Sequence, residues 1–121
     1  MKLEDQVISI KLATKLKELG VKQESVWWWN HIIQEEDLDE WMLDDFNHGS
    51  GSSAFTVAEL GELLPNGLVT GRRKQWFSVT QNGYIYFDDG TWFEHFSVIR
   101  GDTEANARAK ALIWLKENKL L

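Results

Sequence analysis

The sequence predicts an α+β domain: an antiparallel sheet of three to four strands with helices packed mainly on one face. Two observations carry this. Apolar residues recur at helical spacing near both ends of the chain, and from Arg72 onward aromatic and β-branched runs are punctuated by Asn82-Gly83 and Asp89-Gly90. Those dipeptides are the strongest short hairpin signals, because both central residues of a type I′ turn need positive φ. Strands over 76–80, 84–87 and 92–99 then form a C-terminal three-stranded meander.

The helices follow from their ends. Residues 9–19 have Ser9 as a cap and Leu12, Leu16 and Leu19 along one side, with Gly20 placed for a left-handed C′ residue. Val21 would then fold back on Leu16 in a Schellman end. In the stretch 55–65, Thr56 and Glu59 make a capping box, Phe55 is placed to staple onto Leu60, and Pro65 stops the helix. Gly61 permits a close approach there. The clearest amphipathic helix spans 102–118, capped by Asp102 or Thr103. Ala105, Ala109, Leu112, Ile113 and Leu115 share an arc, with Asn106, Lys110 and Glu117 opposite. Arg108 intrudes on that arc as a snorkelling stem.

Two central segments complete the chain. Residues 25–33 are dense in β-formers and predict a strand, with Trp27, Trp29 and His31 on one face and Val26, Trp28, Asn30 and Ile32 on the other. In residues 35–47, Leu38, Trp41, Met42 and Phe46 recur at helical spacing, which predicts a short helix with a carboxylate-rich wet side. Residues 48–53 then read as a Gly/Ser linker.

A chain of 121 residues is expected to be one domain, 1–121. It has no cysteine, no long apolar run and no signal-type N-terminus, so the expected setting is a reducing cytoplasm, away from the membrane. The net charge of −6 disfavours direct nucleic-acid binding. Residues 35–62 hold nine acidic residues and no lysine or arginine.

Three stretches together resemble a family. These are Lys17-Glu18-Leu19-Gly20, the run Thr56-Val57-Ala58-Glu59-Leu60-Gly61-Glu62-Leu63-Leu64-Pro65, and Asp102–Ile113 with the sequence DTEANARAKALI. They are similar to a family of small uncharacterised proteins of bacteriophages, prophages and their bacterial hosts. The resemblance covers most of the chain and implies a phage setting, with 35–53 as an acidic, Gly/Ser-rich insertion. It brings no activity and no catalytic residue.

The motifs of common chemistries are absent. No Gly-x-Ser-x-Gly elbow, Gly-x-Gly-x-x-Gly turn or P-loop ending occurs, and His31, His48 and His95 form no metal-binding pair at helical spacing. No catalytic, cofactor-binding or metal-binding residue is therefore assigned. Seven tryptophans exceed what a small core needs and point to contact with another molecule. The candidate surface comprises Trp27, Trp29, His31, Trp41, Tyr84, Tyr86 and Trp92. The expected function is that of a non-catalytic accessory protein acting by protein contact or self-association. One alternative is a small-ligand binder, for nucleotides for example, with Trp27, Trp29, Tyr84, Tyr86 or Trp92 lining a pocket. Another is nucleic-acid mimicry by the carboxylates of residues 35–45.

Overall fold

The structure, a computed structural model, describes residues 2–33, 39–64, 67–70, 73–79, 84–88, 99–117 and 119. The protein is an α+β fold. Its elements run α1 (Leu3–Gln6), α2 (Ile10–Glu18), β1 (Trp28–Ile33), β2 (Asp39–Asp44), β3 (Ser52–Ser53), α3 (Val57–Leu63), β4 (Gly67–Thr70), β5 (Arg73–Val79), β6 (Tyr84–Asp88), β7 (Ile99–Arg100) and α4 (Glu104–Glu117). The described strands form two antiparallel sheets, in the orders β2-β1-β3 and β4-β5-β6-β7. The expected turns at Asn82-Gly83 and Asp89-Gly90, and most of the strand expected at 92–99, lie outside the described residues.

Local chemistry sets the ends of the helices. The Ser9 side chain accepts from the Leu12 amide at the start of α2. At its other end Gly20 has φ +84°, and the amides of Gly20 and Val21 donate to the carbonyls of Lys17 and Leu16. This is a Schellman end, and only glycine takes that φ without steric penalty. The capping box of α3 is complete: Thr56 accepts from the Glu59 amide, and the Glu59 carboxylate accepts from the Thr56 amide. Its second oxygen accepts from the Val26 amide, so the cap also ties α3 to the chain entering β1.

The last helix is more enclosed than expected. Its cap is Thr103, whose hydroxyl accepts from the Asn106 amide. Ala105, Ala107, Ala109, Ala111, Leu112 and Leu115 are all buried. At 100° per residue these positions span about 200° and, with the buried Asn106, about 260°, so α4 is enclosed on more than one side. It touches α1, α2 and α3 as well as β6 and β7. Its run of small residues allows those neighbours to approach. Placing Asn106 on the wet side was incorrect, since it is 8% exposed. Burial is tolerated because its polar atoms are used: Oδ1 accepts from the Ser9 amide at 2.8 Å, and Nδ2 donates to Asp102 Oδ1 at 2.7 Å. The hydrogen bond from Asn106 is the main cause that holds the Asp102 carboxyl below its ordinary value of 3.8.

Arg108 lies across the α3–α4 contact and donates to Glu104. A side chain at Gly61 would place its Cβ 2.8 Å from Arg108 Nη1, so glycine there admits the guanidinium between the helices. Trp114 is partly buried against the core.

The acidic segment departs from expectation. Residues 39–44 form strand β2, not a helix, with Trp29 opposite Leu43 and His31 opposite Trp41. The residues alternate, so Trp41 and Leu43 pack against the core while Glu40 and Met42 stay exposed. Pairing with β1 supplies a partner that outweighs the helical spacing of four apolar residues. The segment 48–53 is likewise no linker: Gly51, Ser52 and Ser53 are buried, and β3 pairs with β1.

Two measurements follow from this packing. A Cβ at Gly101 would lie 2.3 Å from the Ala107 backbone nitrogen, so Gly101→Ala should cost about 1–3 kcal/mol in urea unfolding. In an NMR titration the Asp102 carboxyl should have a midpoint below 3.8 in the wild type and move up towards it in Asn106→Ala. The sign is that of a depressed acid. Its stabilising contribution is present above the ordinary aspartate value and is lost as pH falls through the lowered folded value.

Candidate functional site

The predicted aromatic set is divided by the fold. Trp29 is buried, and its indole N–H donates to the Ile8 carbonyl at 2.8 Å, so it is a core residue with its one polar atom satisfied. Trp27 and Trp41 are partly buried against that core. His31 and Trp41, which are cross-strand partners, stack with ring centroids 4.8 Å apart. These four side chains share the inner face of the first sheet. Tyr84 and Tyr86 lie in β6 of the other sheet, opposite Arg100 and Ser78. Trp92 lies outside the described residues.

Three cavities among the described residues are lined by other groups. One lies between α2 and α4, one at the adjoining starts of α3 and α4, and a small one beside Phe55. None of the candidate aromatic residues lines them. Among the described residues, no group of three His, Asp or Glu side chains is placed to hold a metal ion. No helix among them is long and apolar enough to cross a membrane.

The outer face of the first sheet has a different character. Strand alternation puts Trp28, Asn30, Glu40, Met42 and Asp44 on this side. Met42 is 41% exposed, and Phe46, just beyond the strand, is 55% exposed. With Val26 they are the large hydrophobic side chains most open to water among the described residues. Carboxylates surround them, with Glu40 and Asp45 exposed and Asp44 partly so.

This face is held in shape by a buried asparagine. Asn30 is almost fully buried, its Nδ2 donating to the Phe46 carbonyl and its Oδ1 accepting from the His48 amide. Asn47 Oδ1 in turn accepts from the amides of Gly49 and Gly51. A Cβ at Gly51 would come within 2.6 Å of Asn30 Oδ1, so the loop can close over Asn30 only with glycine there. Phe46 stacks on the His48 ring at 4.2 Å, and His48 Nε2 lies 3.0 Å from Asp44 Oδ2. The result is a ridge on which exposed Met42 and Phe46 are interleaved with the carboxylates of Glu40, Asp44 and Asp45, held in shape before any partner arrives. Pre-ordering of this kind lowers the entropy lost on association.

Sequence reasoning missed Met42 and Phe46 as surface groups because helical spacing assigned them to a dry side. The alternation Glu40-Trp41-Met42-Leu43-Asp44 carried the opposite signal. Comparison of the chain with protein-family models, with curated proteins and with solved structures gives no match.

Asn30 offers the direct test of how this surface is built. Asn30→Ala should leave the His48 amide and Phe46 carbonyl without their partner and cost about 1–3 kcal/mol. Hydrogen exchange of the His48 amide should accelerate by a larger factor than exchange in α4.

Proposed function

We propose that this protein is a non-catalytic contact module that works through the outer face of its first sheet. The observation that carries the reading is the exposed pair Met42, on β2, and Phe46, on the hydrogen-bonded loop that follows it, interspersed with Glu40, Asp44 and Asp45. Large apolar side chains open to water beside charged groups suit a protein contact. The carboxylates among them select a basic counter-surface and speed encounter with it. The partner class is thus a protein, either another molecule or a second copy. The resemblance of Thr56–Pro65 and Asp102–Ile113 to phage and prophage proteins supports an accessory role in the cytoplasm of a bacterial host.

The finer architecture belongs to the same proposal. A C-terminal meander with the helices on one of its faces would leave the outer face of the first sheet free for contact. Antiparallel pairing of β5, β6 and β7, and the contact of α4 with β6 and β7, support that arrangement.

Sedimentation over a concentration series, combined with capture from host lysate, tests the reading. Met42→Ser with Phe46→Ser should weaken association by about tenfold or more while costing less stability than a core truncation, because both side chains are partly open to water. A strict monomer that captures nothing would count against a contact function. Unchanged association in the double variant would count against this face.

A further inference from the structure

The groove between α2 and α4 has a composition complementary to the acidic ridge. Its floor is apolar, formed by Leu12 and Ile113 with Thr14. Its rim carries three lysines, Lys11, Lys15 and Lys110, and one carboxylate, Glu18. The cavity measures about 580 Å³, within the range of about 300–1,000 Å³ that encloses drug-sized groups. Lys11, Lys15 and Lys110 are all exposed, as is Glu18. An apolar floor edged by lysines is the counterpart of exposed apolar side chains set among carboxylates.

Both halves of this match are present on one chain, and the fold keeps them from meeting within it. Lys17 is the α2 residue that reaches the loop, donating to the carbonyls of Ser50 and Gly51. It lies two residues from Lys15, hence on the opposite side of a 3.6-residue turn. The groove-lining Lys11, Leu12 and Lys15 lie about 120–160° around the helix from Lys17, so the loop that follows the ridge abuts a different side of α2 from the groove's lysines. We propose that the α2–α4 groove receives the Met42–Phe46 ridge of a second copy, so that the chain associates head to tail. This rests on the reading of the ridge as a contact surface and adds its occupant. Two different surfaces meet at such a contact, so it continues into rings or open chains instead of closing as a two-fold dimer. Lysines facing carboxylates at the rim make it sensitive to salt.

Two variants separate the halves: Lys11→Glu with Lys15→Glu and Lys110→Glu alters the groove, and Met42→Ser with Phe46→Ser alters the ridge. Sedimentation velocity at low ionic strength should show wild-type species larger than a dimer, with association falling about tenfold or more in high salt. Each variant alone should be monomeric. Their equimolar mixture should form a heterodimer and nothing larger, because only the ridge of the groove variant and the groove of the ridge variant remain intact. Wild-type protein that stays monomeric, or stops at a dimer, overturns the head-to-tail assembly. So does a groove variant that associates like the wild type. If the groove variant associates normally and the ridge variant does not, the groove assignment fails while the contact face stands. If the ridge variant also associates normally, both fail.

Discussion

The rest of the fold depends on a short extended strap, Val7 to Ser9, that runs through the interior. Val7 and Ile8 have no exposed surface, so every polar backbone group there needs a protein partner. The Ile8 amide donates to the Phe55 carbonyl, and the Ile8 carbonyl accepts from the Trp29 indole. The Ser9 amide donates to Asn106, and Val7 bridges to Thr56. Three separate parts of the chain are thereby pinned to three consecutive residues, the last of which also caps α2: β1, the entrance to α3 and the start of α4. Hydrophobic burial supplies the driving force around this strap, but burial is indifferent to direction. The hydrogen bonds decide which arrangement of the same apolar residues is the native one, since a shifted register would leave buried donors unmatched.

This constraint explains how the core is distributed. Phe55 and Leu60, at either end of the α3 staple, are buried in one cluster with Val7, Ile8, Leu16, Leu112 and Leu115. The alanines of α4 bring helices close to the strap, and Gly61 and Gly101 remove side chains where the backbone or Arg108 must pass. On the far side of β1 a second buried amide, Asn30, repeats the device on a smaller scale by gathering the 46–51 loop. Buried asparagines thus fix both the centre of the molecule and the surface on which Met42 and Phe46 stand.

Signals contained within a few residues were legible in the sequence. Ser9, Gly20, the Thr56–Glu59 box and the β-former run 25–33 depend on nearest neighbours, and the structure has each element there, the strand over the shorter span Trp28–Ile33. The α+β class follows from the same signals. Long-range partners were not legible. Asn106 reads as a wet-side residue until Ser9, 97 positions away, supplies its donor. Residues 39–44 read as a helix until β1 supplies a strand to pair with. Trp29 belonged to the candidate surface until the Ile8 carbonyl accounted for its indole. The candidate site shifted for the same reason: its inner aromatic face was drawn into the core, and the exposed residues are the alternate ones.

The most direct measurement of the central constraint is equilibrium urea unfolding of Asn106→Leu. This substitution keeps the branched side-chain shape but removes the acceptor of the Ser9 amide and the donor to Asp102. If the strap is fixed by these bonds, the variant should lose about 1–3 kcal/mol despite its greater hydrophobicity. Stability equal to or above that of the wild type would contradict it.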